Sequence, residues 1–387
     1  MRYHSYLNSA KSIIESYRGD IPFAVFLKKY FNAHKKYGGK DRKQIATLCY
    51  NFYRLGKAIP QLPVEEKIIV AVFLCENKSN EFLHFHKPEW NEIITKPLAE
   101  KMQVAGITGE DVFPWAEELS DDIDAEGYRH SFFKQPDLFL RIRPGKKDTV
   151  TKKLQDAGIE FELRTDDCIA LPNSTKIDGV LEIDKEVVIQ DHNSQKVLDG
   201  MRNEVTGMRQ PVSVWDCCAA SGGKSILAYD ILKGEIELTV SDIRESILSN
   251  LKQRFENAGI KNYHSFVADL SEPNSQLSTF NSQLIICDAP CTGSGTWSRT
   301  PEQLYYLKRK TIDVYTAMQQ QIVTNIIPHL QAGGTFIYIT CSVFRNENED
   351  MVSFIKEKFH LQLLQMELLK GYDKKADSMF TAVFKKP

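Results

Sequence analysis

The sequence predicts an α/β protein: a doubly wound sheet in its C-terminal half, preceded by a helical N-terminal region and a small α+β connector. Three observations carry this. From Pro211 onward, short β-rich runs alternate with helical periodicity, as in parallel strands joined by crossover helices. From the start to about Trp115, apolar residues recur only at helical spacing, and between 127 and 200 short runs of both kinds mix. A chain of 387 residues exceeds the usual single core, which predicts several domains, here 1–125, 126–200 and 201–387.

The elements follow in order. Ile13, Ile14 and Tyr17, then Ile45, Leu48, Cys49, Phe52, Tyr53 and Leu55, place apolar stripes on helices. An acidic run from Asp121 to Glu126 reads as a linker or exposed turn. The connector should hold strands at Leu138–Pro144, Ile159–Leu163 and Val187–Gln190, with a helix at Thr149–Gly158. In the last region, strands are expected at 212–215, 237–240, 264–267, 283–287, 335–339 and 380–384. Helices should begin at about Lys224 and span 245–258, 311–330 and 348–359. In such a sheet, ligands bind at the carboxyl ends of the strands.

Charge is uneven although the net value is only -2. Residues 1–60 carry twelve Lys/Arg, including Lys28, Lys29, Lys35, Lys36, Lys40, Arg42 and Lys43, against three acids, and 61–130 carry six against fifteen. A second basic stretch, Arg141 to Lys153, holds six Lys/Arg against Asp148 alone. A local basic face can bind RNA on a neutral protein, because phosphate contacts are short-ranged; solvated helix faces would give the same pattern. No segment is apolar enough to span a bilayer, and the opening MRYHSYLNSAKSIIES lacks a signal peptide's apolar run. Eight cysteines scattered through a large chain suggest reduced thiols, hence a cytoplasmic protein, with a monomer as the default state.

The chemistry gathers at the ends of these strands. After the first comes the turn Asp216-Cys217-Cys218-Ala219-Ala220-Ser221-Gly222-Gly223-Lys224, whose small residues let backbone approach a ligand at a helix N-terminus. It partly matches a P-loop, but Cys218 stands where the first P-loop glycine belongs. Asp242, Asp269 and Asp288 end the next three strands; one such acid is usually a cap, whereas three beside one glycine turn suit an adenosine site. Cys291 lies in an irregular loop after Asp288-Ala289-Pro290, and Cys341 ends the following strand in Thr340-Cys341-Ser342. Both thiols can then face one cleft. Cys49, Cys75, Cys168 and Cys287 read as buried structural thiols. No metal is expected, since Cys287-x3-Cys291 has no second ligand pair or nearby histidine.

Two thiols and a nucleotide-type cofactor loop suit methylation of a pyrimidine carbon. Carbon 5 of cytosine is a weak nucleophile until a thiolate adds to carbon 6, and its proton must leave before the enzyme sulfur does. Asp288 could hydrogen-bond the ring and stabilise the adduct, once the base is unstacked into a pocket.

These blocks resemble the Sun/Nop family of S-adenosylmethionine-dependent RNA 5-methylcytosine methyltransferases. The likeness covers the chain from about Gln190, in Gln190-Asp191-His192-Asn193-Ser194-Gln195, DCCAASGGKS, Asp242, Ala268-Asp269, DAPCTGSGTWSRTPE and TCSVFRNENE. It implies a Rossmann-like class I methyltransferase domain, Cys341 as the nucleophile and Cys291 as the thiol assisting product release. It also implies cofactor contacts from Cys218, Ala219, Ala220, Ser221, Gly222, Gly223, Lys224, Asp242, Asp269 and Asp288. Where the family usually has proline this chain has Ser221, and Ser298 stands where a basic residue is common. Gly39 to Arg54 resembles the NusB-like RNA-binding extension of bacterial members, which implies ribosomal RNA as the substrate. Transfer RNA and a non-catalytic ribosome-assembly role are the alternatives.

Overall fold

The computed structural model describes residues 2–205, 208, 210–273 and 281–387. The chain forms two compact units. One gathers Met1–Leu119, Asp124–Gln135 and Thr296–Arg309; the other gathers Ser120–Ile123, Pro136–Gly295 and Lys310–Pro387.

The first unit is helical. Helices Arg2–Ser16, Phe23–Ala33, Gly39–Arg54 and Val64–Cys75 supply most of its frame. Ile13, Ile45, Leu48, Cys49, Phe52, Tyr53 and Phe73 are buried in it, as the helical periodicity requires. The segment Thr296–Arg309 completes this unit: the Glu302 carboxylate accepts from the Phe23 amide (3.3 Å), and the Tyr306 hydroxyl donates to the Tyr17 carbonyl (2.9 Å). Lys28, Lys29, Lys35, Lys36, Lys40 and Lys43 are exposed. Arg54, at the end of the third of these helices, is instead 3% exposed, and its guanidinium donates to the carbonyls of Phe132 and Lys134 and to Gln135. That arginine ties backbone and is no contact for a phosphate.

The second unit holds two sheets. In the smaller, β1 (Leu138–Ile142), β2 (Glu162–Thr165), β3 (Cys168–Leu171) and β4 (Val187–Ile189) run antiparallel in the order β2-β3-β1-β4. Part of the second basic stretch is paired here, with Arg141 buried and Arg143 half-buried. Arg141 and Arg143 both pair with Asp230 at 2.7 Å, and Lys153 pairs with Glu186 at 2.8 Å. Burying Arg141 is tolerable only with such a partner.

The larger sheet comprises β5 (Val212–Asp216), β6 (Ile236–Asp242), β7 (Tyr263–Val267), β8 (Ser282–Asp288), β9 (Leu330–Thr340), β10 (Gln362–Leu369) and β11 (Met379–Lys385). Its order is β10-β11-β9-β8-β5-β6-β7, with β5 to β9 parallel and β10 and β11 antiparallel at one edge. Alternate residues feed two cores. Val212, Val214, Leu238 and Val240 pack with Ile226, Leu251 and Phe255 of helices Gly223–Ile231 and Glu245–Ala258. On the other face Trp215, Ile285, Phe336 and Tyr338 pack with Ile322, Val323 and Ile355 of helices Lys310–Ile326 and Glu349–Phe359. The predicted doubly wound sheet is therefore present, and its order reverses between β5 and β8, where such sheets place ligands. No helix among the described residues is long and apolar enough to cross a membrane.

Candidate active site

The parallel pairing of β8 with β9 sets Asp288 opposite Ile339, so the loops leaving the two strands start side by side. Cys291 on the first and Cys341 on the second meet with their sulfurs 3.3 Å apart, both as free thiols. The Cys341 contact, with burial, pushes the Cys291 thiol well up, so Cys291 holds its proton.

Both loops hang on one carboxylate. Glu347, fully buried, accepts hydrogen bonds from the Thr292 amide (2.8 Å), the Thr292 hydroxyl (2.6 Å), Gln319 (3.1 Å) and the Ser342 hydroxyl. Thr292 and Ser342 are the residues next to the two cysteines. Burial raises the Glu347 carboxyl, while the bonds from Ser342 and Thr292 oppose that. Gly295 adds a second tie, donating to the Cys341 carbonyl (2.8 Å) and accepting from the Ser378 amide (2.9 Å). A Cβ at Gly295 would lie 2.0 Å from the Ser378 carbonyl oxygen, so only glycine fits.

Beside Cys291 opens a cavity of about 460 Å³, within the usual range for small-molecule sites. Of the residues expected there, Cys218, Ala220, Asp242, Asp269, Asp288 and Cys291 line it. The Asp242 carboxylate accepts from the Ala220 amide (3.0 Å) and from the Arg244 amide (2.9 Å) and guanidinium (3.0 Å). Ala220 adopts a positive φ of 46° to make that contact, backbone strain of the kind held at ligand-binding turns. Asp269 is exposed and accepts from the amide and hydroxyl of Ser271 (2.9 and 2.6 Å).

The other turn residues stand behind the wall. Ala219 is buried, and Gly222, at φ 83°, ends the turn where a Cβ would lie 2.8 Å from Phe255. Gly223 begins the helix, and the Lys224 ammonium meets Asp288 at 2.5 Å. Burial would lower that lysine, but the carboxylate outweighs it and raises it. Ser221 accepts from Arg254 at both its carbonyl (2.9 Å) and its hydroxyl (3.0 Å), and Arg254 also pairs with buried Asp184 (2.7 Å). The serine that replaces the family's usual proline thus has a structural partner of its own.

The block Gln190 to Gln195 serves structure. Asn193 donates to the carbonyls of Leu369 (3.0 Å) and Asp377 (2.8 Å), and Asp191 accepts from the Asp377 amide (3.1 Å). Sequence reasoning missed Arg244, Tyr315, Met318 and Glu347. Tyr315, Met318 and Ile322 line the cavity from one helix at i, i+3 and i+7, a spacing that marked them as one face. Glu347 carried no such signal. The remaining thiols are not all isolated: the sulfurs of Cys217, Cys218 and Cys287 lie within 4.8 Å of one another, whereas Cys49 and Cys168 are buried and Cys75 half-buried.

The sheet order, the glycine turn and the strand-end acids define an α/β domain of the class I methyltransferase type. Residues 206–384 match the family model described as 16S rRNA methyltransferase RsmB/F, in agreement with the Sun/Nop resemblance. A probable ribosomal RNA small subunit methyltransferase B of Bacillus subtilis is 28% identical over 230 residues, 57% of this chain and 50% of that protein. The chain therefore spans about half the length of that curated relative. Among solved structures, PH0851 aligns with a TM-score of 0.72 at 16% identity, covering 100% of this chain and 98% of that one. NSun6 from Pyrococcus horikoshii, solved with SFG, aligns with a TM-score of 0.59 at 13% identity, covering 72% and 96%. These two likenesses concern the fold.

Proposed function

We propose that the protein is an RNA (cytosine-C5)-methyltransferase, which joins a methyl group from S-adenosylmethionine to a cytosine of RNA, with ribosomal RNA as the favoured substrate. The observation that carries the reading is the pair of thiols 3.3 Å apart, of which Cys291 lines a cavity together with Asp242, Asp269 and Asp288, and Cys341 stands behind it. Eight free thiols agree with a cytoplasmic enzyme.

The residues fit the cofactor. Asp242 and Asp269 offer carboxylates for ribose hydroxyls, and Ile243, 56% exposed at the end of β6, offers an apolar surface beside them. An exposed isoleucine in a cavity wall is accounted for by a flat apolar ligand. When bound, S-adenosylmethionine supplies an electrophilic methyl group.

The protein's part is to make carbon 5 nucleophilic. Cys341, as thiolate, adds to carbon 6 of the flipped cytosine and leaves an enamine. Asp288, oriented by Lys224, accepts from the base edge and holds the ring over the thiols. Cys291 keeps its proton while the neighbouring sulfur is free, because ionising both would set like charges together. Once the Cys341 sulfur is bonded to carbon, that opposition is gone, and Cys291 releases its proton to solvent and becomes the thiolate base. Cys291 then takes the proton from carbon 5, the carbon–sulfur bond breaks, and Cys341 leaves as thiolate.

The test is incubation with labelled methyl donor and total RNA from cells lacking the gene, followed by nucleoside mapping. Label in 5-methylcytosine at one ribosomal position supports the reading, and Cys341→Ala should abolish it while donor binding persists. Label confined to transfer RNA would keep the chemistry and overturn the substrate. Donor binding without transfer to any RNA, including assembly intermediates, would favour a non-catalytic role.

A further inference from the structure

The mechanism uses two of the thiols near the sheet's carboxyl edge and leaves three others unexplained. Cys217 follows β5 directly and its amide donates to the Ile286 carbonyl (2.9 Å), which sets it beside Cys287 on the adjacent β8. Cys218 turns into the same space from the glycine turn. The three sulfurs converge within 4.8 Å of one another. Three thiolates around one ion at a metal–sulfur distance of about 2.3 Å stand roughly 4 Å apart, so the cluster closes on an ion with small side-chain shifts.

We propose that Cys217, Cys218 and Cys287 form a three-sulfur site for a soft, thiophilic metal ion, separate from the methyl-transfer pair. Hard cations prefer oxygen, whereas an all-sulfur set selects ions of the zinc, cadmium or copper(I) kind. The ion has a way in, because Cys217 and Cys218 line the cavity while Cys287 lies fully buried behind them. Among the described residues no fourth Cys, His, Asp or Glu joins the group, which leaves one coordination position open. Loading breaks each S–H bond as a sulfur–metal bond forms and releases the proton to solvent.

Core filling is the competing explanation, and it predicts no affinity for ions. Cadmium(II) serves as the probe, titrated into the full chain carrying Cys291→Ser and Cys341→Ser so that the other close pair is absent. The expected result is an ultraviolet thiolate-to-metal band that saturates at one ion per chain, with protons released, and at least tenfold weaker binding in Cys217→Ala and in Cys287→Ala. Thermal unfolding checks that these variants fold. In the unsubstituted protein, cadmium should also protect Cys218 from alkylation, read by peptide mass spectrometry. No band from fully reduced protein, a band that survives both alanine substitutions, or no protection of Cys218 would each overturn the site.

Discussion

At the scale of single residues, the account turns on how the two cysteines are held. Glu347 receives four hydrogen bonds and through Thr292 and Ser342 fixes both loops. A hydrogen bond to a charged group contributes about 1.5–3 kcal/mol, so weakening this hub in Glu347→Gln should lower turnover by roughly 10- to 100-fold. Donor binding should be unchanged, as a calorimetric titration would show, because Glu347 is no part of the cavity lining. Asp216 makes a different prediction. It is fully buried, accepts from Ser225 at 2.6 Å, and burial pushes its carboxyl up to about 7. Between the ordinary carboxylate range and pH 7 the folded protein then holds a proton that the unfolded chain has lost. Its contribution to stability is present at low pH and falls as pH rises through 7. Denaturant titrations from pH 4.5 to 7.5 should show that fall, and Asp216→Asn should flatten it.

At the scale of elements, the glycine turn and the two cysteine loops depend on a few close approaches. Gly295→Ala would force the Cys341 backbone and Ser378 apart, since the added methyl meets a carbonyl oxygen at 2.0 Å. Methyl transfer should fall well before the global fold is lost, which activity and melting curves on one sample would separate. The helix Glu245–Ala258 was legible to the residue, because its apolar positions recur at the helical period and Gly259 stops it at φ 78°. Two strands were not. β3 is only Cys-Ile-Ala-Leu between Asp167 and Pro172, too short for alternation to show. β10 is an edge strand that leaves Leu364 and Met366 largely exposed, so inward and outward positions do not differ in polarity. The site shows the same division. The cysteines, the turn and the strand-end acids announced themselves through motif and strand position. Glu347 stood inside a recognised block, yet its job depends on Thr292 and Gln319, 55 and 28 residues away. Charge counting misled at Arg54 and Arg141 for a related reason: a local basic stretch does not reveal which side chains turn inward.

At the scale of the whole molecule, the helical unit carries an exposed basic set that suits an RNA grip, and the proposal gives it no part in the chemistry. Replacing Lys28, Lys29, Lys35 and Lys36 by glutamate should weaken RNA binding while donor binding is unaffected. The slope of log affinity against log salt should shrink by about 0.7–0.9 for each phosphate that is no longer neutralised. If the slope is unchanged, those lysines form a solvated face and the grip lies elsewhere.

The central claim is the division of labour between the two thiols, and adduct trapping tests it most directly. Cys291→Ala, incubated with donor and substrate RNA, is run on denaturing gels beside the double variant Cys291→Ala/Cys341→Ala. The account predicts a protein–RNA band in the single variant that resists denaturation and disappears in the double. Normal turnover by Cys291→Ala with no adduct, or an adduct that persists without Cys341, would contradict it.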